Sequence, residues 1–174
     1  MRGGYGRNRM ISEDWVKEYE KILITRKIHR VSEIIGETEY FVSISADPIE
    51  KRKKIMQCLG AIVSLINSIP IFEEHKKIID DWYQDVNRIK ALLYGNGKAL
   101  KEEGIKTVVV RRGIHLYTVP NVEGYAKILE KINELFREID KFTTENGLRI
   151  TLPMERKTGA NAILEEENIK LLDI

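Results

Sequence analysis

Residues Ile71 to Leu93, IFEEHKKIIDDWYQDVNRIKALL, decide the fold of this chain. Apolar or aromatic side chains recur along them at alternating intervals of three and four residues: Phe72, His75, Ile79, Trp82, Val86, Ile89 and Leu93. This spacing places the side chains on one face of a long helix. At about 1.5 Å per residue the helix is about 35 Å long. A helix with such an apolar stripe must pack against a partner, and we expect that partner at Val122 to Thr144.

The predicted partner helix begins after Pro120, with Asn121 as its N-cap. Asn146-Gly147 ends it, because glycine readily adopts the left-handed conformation that follows a helix. Its apolar residues form a face wider than a heptad seam, so we expect the helix to touch two neighbours. These residues are Tyr125, Ile128, Leu129, Ile132, Leu135, Phe136, Ile139 and Phe142.

A third helix is predicted from Asp47 to about Asn67. The aspartate suits the N-cap, Pro48 the first helical position and Glu50 the third. Four consecutive cations occupy its first turns: Lys51, Arg52, Lys53 and Lys54. Cations are unfavourable at the positive end of a helix dipole, which suggests a phosphate ligand. The alternative is a solvated face whose charge is offset by the two nearby acids.

Residues 12–45 predict a first helix followed by a strand. Ser12 suits a helix N-cap. Residues 22–35 permit either a helix or a strand, because helical spacing of apolar residues is combined with many β-branched side chains. We favour a helix, and Gly36 is a candidate for its end. Residues Tyr40 to Ser45, YFVSIS, are predicted to be a strand.

Residues Ile105 to Val119, IKTVVVRRGIHLYTV, are the clearest β region. Gly113 predicts either a hairpin with Arg111 and Arg112 at its tip or a bulge in one bent strand. A basic hairpin tip suits a nucleic-acid groove. The stretch before it, residues 95–104, is predicted to be a loop, and residues 148–152 to be another strand.

Together these elements predict an α+β fold that is predominantly α, an antiparallel helical bundle with a small β-hairpin or sheet. The chain divides into a flexible basic arm at residues 1–11 and a single helix-rich domain at residues 12–174, with the β insertion around 105–119. The segment Ala162 to Ile174 is strongly apolar. We expect it to dock on its own core or on another subunit.

The basic arm combines arginines, glycines and Tyr5 without any acid; its arginines are Arg2, Arg7 and Arg9. This composition suits loose contact with nucleic acid, and the alternative is an ordinary frayed terminus. Residues 1–30 hold eight Lys or Arg against four acids, a net +4, whereas residues 158–174 hold one Lys against four acids, a net −3. Opposite charge at opposite ends suggests either an electrically polar molecule or neighbours that meet head to tail.

The composition is typical of a globular intracellular protein with a formal net charge of +2. The longest uncharged run, Ile55 to Phe72, is interrupted by polar residues, and the N-terminus lacks the apolar core of a signal peptide. We therefore expect a cytoplasmic protein that does not cross a membrane. The count of 25 isoleucines against two glutamines is typical of a thermophile and suggests an archaeal source. The single cysteine, Cys58, is predicted to be a small buried hydrophobe.

No motif in the sequence specifies a chemistry. The three histidines lie far apart and lack companions at zinc-ligand spacing, so no metal and no cofactor are predicted. They are His29, His75 and His115. An enzyme would have to assemble its site from scattered residues, of which the candidates are Asp80, Asp81, His115 and Tyr117.

These features predict a non-catalytic nucleic-acid-binding subunit of a larger ribonucleoprotein or nucleoprotein assembly. The profile is that of a small helical subunit of an archaeal CRISPR effector complex in antiviral defence, or of a virus or plasmid packaging protein. Other protein subunits, identical or different, are the further expected partners. Contacts with DNA or RNA phosphates, of low sequence specificity, are assigned to Arg2, Arg7, Arg9, Lys51, Arg52, Lys53, Lys54, Arg111 and Arg112.

Two alternatives remain from the sequence. Helix, loop, β-hairpin and helix over residues 71–146 resemble the layout of a prefoldin subunit, which implies a coiled-coil structural or chaperone protein. The second alternative is an enzyme or toxin with a site assembled from scattered residues.

Overall fold

The computed structural model describes residues 17–150, which fold into five α-helices and one β-hairpin. The elements are α1 (Glu18–Ile44), α2 (Pro48–Ser68), α3 (Lys76–Leu93), α4 (Gly97–Glu103), β1 (Thr107–Arg112), β2 (His115–Pro120) and α5 (Val122–Glu145). The predominantly α fold with a small antiparallel hairpin is confirmed. The basic arm, Ser12 and the C-terminal segment Ala162 to Ile174 lie outside the described residues.

Helices α1, α2, α3 and α5 form an up-down-up-down bundle, because the start of each helix meets the end of its neighbour. The contacts that show this are Lys54 with Phe41 for α1 and α2, Arg52 with Tyr94 for α2 and α3, and His75 with Phe142 for α3 and α5. The amide of Ile150, just beyond α5, donates to the hydroxyl of Thr25 near the start of α1 at 2.8 Å, which closes the ring of four helices.

The first helix is longer than the sequence suggests. A helix at residues 22–35 is confirmed, but it neither ends at Gly36 nor gives way to a strand at Tyr40 to Ser45, so both of these predictions are wrong. The buried positions Ile35, Thr38 and Val42 continue the helical spacing, and burial against the bundle outweighs the β preference of the YFVSIS stretch. The predicted bundle therefore contains α1 as a fourth helix.

The helix that decides the fold begins later than its sequence pattern. Residues Glu73–His75 form a short 3₁₀ turn, and α3 starts at Lys76. Phe72 and His75 still pack in the seam: the His75 ring lies 4.8 Å from the ring of Phe142 and 5.7 Å from that of Phe72. The side-chain pattern was therefore predicted correctly although the first turn is not α-helical.

Two short segments also differ from expectation. Residues 95–104 are not a loop, because Asn96 accepts a hydrogen bond from the amide of Ala99 at 3.0 Å and starts α4, which Gly104 ends in the left-handed conformation. Residues 148–150 form no strand, and the rest of that predicted strand is beyond the described range. Leu148 packs into the core instead.

The hairpin prediction is confirmed, with Gly113 in the left-handed conformation at its tip. Strand β2 packs against α2, α3 and α5, whereas β1 forms the outer edge. Gly95, which follows α3, brings the chain so close to β2 that a Cβ atom there would lie 3.0 Å from the carbonyl oxygen of Thr118. The hairpin is thus seated on one end of the bundle by a close backbone approach.

The layout of helix, hairpin and helix over residues 71–146 is present, but α1 and α2 pack along α3 and α5. Helices α3 and α5 are consequently part of a four-helix bundle rather than a free-standing two-helix coiled coil. The core between the four helices includes Cys58, which is fully buried, and burial raises the pKa of its thiol to about 11. The prediction of a buried cysteine is confirmed.

Candidate nucleic-acid interface

The start of α2, the end of α3, the start of α5 and the hairpin meet at one end of the bundle. The hydroxyl of Tyr125 in α5 donates to the carbonyl oxygen of Pro48 in α2 at 2.7 Å. Asp47, the N-cap of α2, forms an ion pair with Arg112 of the hairpin. These contacts tie the start of α2 to the start of α5 and to the hairpin, both of which lie more than 60 residues further along the chain. We call this surface the basic end and define it by Arg52, Lys53, Lys54, Tyr94, Arg112 and Tyr117.

The centre of the basic end is Arg52, whose guanidinium carbon lies 5.5 Å from the ring centre of Tyr94 and 5.7 Å from that of Tyr117. Both distances are within the range of cation–π attraction. Tyr94 is 62% exposed, so its ring remains open to solvent beside the guanidinium. The arrangement presents a planar cation and an aromatic ring side by side.

The other three cations of α2 differ in accessibility. Lys51 is buried, with its ammonium 5.8 Å from the ring centre of Tyr125, so it has little surface to offer a phosphate. Lys53 is exposed and pairs with Glu50 at 3.7 Å. Lys54 lies 5.7 Å from the ring centre of Phe41. These contacts offset part of the unfavourable dipole interaction without a ligand.

The two arginines of the hairpin lie on opposite faces, because successive side chains of a strand alternate. Arg112 turns towards the bundle and pairs with Asp47, whereas Arg111 is exposed on the outer face. The structure therefore brings Arg52, Lys53, Lys54 and Arg112 together and leaves Arg111 apart from them. The three arginines of the predicted arm, Arg2, Arg7 and Arg9, precede the described residues.

Asp47 links the basic end to the helix cap. Partial burial acts to raise the pKa of its carboxyl group, but hydrogen bonds from Arg112 and from the amides of Ile49 and Glu50 outweigh this, so the pKa lies below its usual value of 3.8. A lowered pKa in the folded state means that the ionised carboxylate stabilises the fold above pH 3.8 and that this contribution is lost as the pH falls through the folded value.

Acidification should therefore destabilise the wild-type protein more than it destabilises an Asp47→Asn variant. Asparagine caps a helix about as well as aspartate but does not form the ion pair with Arg112. We expect the midpoint of denaturant unfolding to fall further between pH 6 and pH 3 in the wild type than in the variant. Equal pH dependence of the two proteins would remove the assigned role of the Asp47 carboxylate.

The scattered candidates for catalysis do not converge. Asp80 and Asp81 lie in α3, where Asp81 pairs with Lys77 at 3.5 Å. His115 and Tyr117 are in β2, with ring centres 6.2 Å apart. Within residues 17–150, no group of three or more His, Cys, Asp or Glu side chains is arranged to hold a metal ion.

A pocket in the described part of the chain lies apart from the basic end. It is an open space of about 590 Å³ between the turn after α4 and the first turns of α5, lined by Lys106, Glu123, Lys127 and Glu130 among others. Its charged lining is balanced, and the ammonium of Lys127 donates to the carbonyl oxygen of Glu103 at 3.1 Å. We assign no ligand to it.

Tyr94 and Tyr117 are the residues of the basic end that sequence reasoning did not assign to nucleic-acid contact, since Tyr117 was considered only as a candidate for catalysis. One follows α3 and the other lies in β2, and each is more than 40 positions from Arg52. No local pattern connects the three. Only the antiparallel packing of α2 on α3, together with the seating of the hairpin at Gly95, brings them together.

No family model, curated protein or solved structure matches this chain. None of the helices within residues 17–150 has both the length and the apolar character required to span a bilayer.

Proposed function

We propose that this chain is a non-catalytic nucleic-acid-binding subunit of a larger ribonucleoprotein or nucleoprotein assembly, and that it contacts nucleic acid at the basic end. The observation that carries the proposal is Arg52 between Tyr94 and Tyr117, with Lys53, Lys54 and Arg112 on the same end of the bundle. Surfaces that combine cations with open aromatic rings bind the backbone and bases of single strands.

The charge of the basic end supports phosphate contact. Four cations, Arg52, Lys53, Lys54 and Arg112, stand against two acids, Asp47 and Glu50, which leaves a net +2. Lys53 is the most open of the α2 cations, because it lies in the middle of the solvent face of the helix. Phosphate contacts of this kind carry little sequence information and weaken steeply as salt rises.

Neutralising two lysines of the basic end tests the proposal. We expect Lys53→Gln/Lys54→Gln to bind labelled single-stranded RNA or DNA about tenfold more weakly than the wild type in fluorescence anisotropy at about 50 mM salt. The slope of log affinity against log salt concentration should also become less steep by about 1.4, since each lost phosphate contact reduces the slope by about 0.7.

A matched control uses the opposite end of the bundle. Lys76→Gln/Lys77→Gln removes the same charge at the start of α3, where both lysines are exposed. The affinity of this control should stay within about twofold of the wild type, because these lysines are one bundle length from the basic end. Equal losses in the two variants would show that only net charge matters and would contradict the proposed interface.

Tyr94→Ala separates stacking from charge. Loss of an open ring should weaken binding to single strands, by about 1–3 kcal/mol if a base stacks there, while the salt slope is unchanged because no charge is removed. A preference for single strands over a duplex should shrink in the same variant. Unchanged affinity would remove Tyr94 from the interface and leave a purely ionic surface.

A further inference from the structure

The outer face of the β-hairpin is an exposed apolar surface. Val109 and Leu116 are both 65% exposed on this face, and Ile114 at the tip is 89% exposed. In the described chain β1 pairs only with β2, so its outer edge offers free backbone N–H and C=O groups. A two-stranded hairpin with an open apolar face is marginal in water, and such patches mark interaction sites.

The charge of this surface is one-sided. Residues 105–120 contain Lys106, Arg111 and Arg112 and no acid. Arg112 is paired with Asp47 on the inner face, whereas Arg111 is exposed on the outer face and has no ion-pair partner within residues 17–150. A ligand for the outer face should therefore combine apolar side chains with negative charge.

The chain itself contains a segment with these properties. Residues 162–174, AILEEENIKLLDI, hold four acids against Lys170, a net −3, and six Ile or Leu residues. The acids Glu165, Glu166 and Glu167 complement Arg111 on the outer face of the hairpin. The flanking isoleucines and leucines complement Val109, Ile114 and Leu116.

The length of the connection favours a segment from a second copy. The last described residue is Ile150, whose amide donates a hydrogen bond to Thr25 at the opposite end of the bundle from the hairpin. The 24 residues of α5 separate the two ends by about 36 Å. The linking residues 151–161 reach at most about 36–40 Å when fully extended. Docking within one chain would need a taut linker, whereas docking between copies carries no such constraint.

We propose that residues 162–174 of one copy bind the outer face of the β-hairpin of the next copy, so that the chains assemble head to tail. Arg111 binds the run of three glutamates, and Val109, Ile114 and Leu116 receive the apolar side chains. Such an interface uses two different surfaces of the chain, so it can close by reciprocal exchange between two copies or extend into larger rings or filaments. The inference does not depend on nucleic-acid binding.

Analytical ultracentrifugation of the full chain and two full-length variants tests this assembly. The hairpin variant is Val109→Thr/Leu116→Thr. Threonine is polar but is well accepted in β-strands, so both exposed positions keep a residue that suits the strand. The tail variant is Glu165→Lys/Glu166→Lys/Glu167→Lys. We expect the wild type to form concentration-dependent oligomers and each variant alone to remain monomeric, with unchanged helical circular dichroism.

Mixing the two variants gives the sharpest outcome. The hairpin variant still has an intact tail and the tail variant an intact hairpin, so the mixture should form one-to-one dimers that cannot grow further. Adding Arg111→Glu to the tail variant should restore self-association, because both charges are then reversed. Tyr19→Thr, at an exposed position of α1 at the far end of the bundle, serves as the control and should leave the oligomers intact.

Three results would overturn the proposal. A wild type that stays monomeric at every concentration would contradict docking between copies and would point to a tail bound within its own chain or to no surface at all. Oligomers that survive in both variants would assign the contact to another surface. Variants that are each monomeric but do not dimerise when mixed would exclude a head-to-tail contact between hairpin and tail.

Discussion

Replacing Trp82 by alanine should lower the free energy of unfolding by about 3–5 kcal/mol, the range for truncating a large buried aromatic side chain. Trp82 is fully buried in α3. Its ring lies 5.1 Å from that of Phe142 in α5, nearly perpendicular at 87°, which is the favourable edge-to-face arrangement. The change would leave a cavity between the two helices on which the fold depends.

Trp82→Phe is the matched control for this prediction. The indole N–H of Trp82 is buried and has no hydrogen-bond partner within residues 17–150, so phenylalanine keeps much of the ring and removes a donor that is unsatisfied. We expect Trp82→Phe to cost clearly less than Trp82→Ala, because the cavity that it leaves is smaller. Denaturant unfolding measures both values. Equal destabilisation by the two substitutions would mean that ring packing against Phe142 is not the source of the effect.

Replacing Tyr125 by alanine should also cost about 3–5 kcal/mol. Tyr125 is buried in α5, and its hydroxyl donates to the carbonyl oxygen of Pro48 at 2.7 Å. The side chain therefore fills the core and holds the start of α2 at the same time. Tyr125→Phe keeps the packing and removes only the hydrogen bond, so its expected effect is about 1–3 kcal/mol. For Tyr125→Phe, the loss in binding free energy for nucleic acid should be smaller than the loss in the free energy of unfolding, since the cations of the basic end remain.

Alkaline unfolding provides a second measurement on Tyr125. Burial raises the pKa of its hydroxyl from 10.0 to about 12, with nearby Arg52 acting in the opposite direction. A raised pKa means that the neutral phenol stabilises the fold fully below pH 10 and that this contribution is lost as the pH rises towards 12. The wild type should thus lose more stability than Tyr125→Phe between pH 9 and pH 11. Parallel pH curves would contradict this account of the buried hydroxyl.

The elements that sequence reasoning predicted correctly have local signals. Asp47-Pro48 starts α2, Asn121 starts α5 and Gly113 turns the hairpin, because each residue type suits the backbone at its position. The caps have the expected geometry: the Asn121 side chain accepts from the amide of Gly124 at 2.7 Å. Such signals depend only on near neighbours in the chain.

The elements that were missed depend on distant residues. The end of α1 has the composition of a strand and is helical because its apolar positions face the bundle. Arg111 and Arg112 were treated as one pair, although strand alternation and the Asp47 contact divide them between two faces. Likewise, Lys51 was grouped with its neighbours in α2, but helical geometry turns it inward to Tyr125. The basic end therefore contains only part of the predicted set and two tyrosines that no local pattern indicates.

The most direct test of the central claim is a binding titration of the wild-type chain with single-stranded RNA, single-stranded DNA and duplex DNA at about 50 and 200 mM salt. If three to four cations of the basic end contact phosphates, affinity for single strands should fall about 20- to 50-fold over this range. Single strands should also bind more tightly than the duplex, because Tyr94 leaves an open ring for a base. Absence of binding to all three nucleic acids at the lower salt would contradict the proposed function.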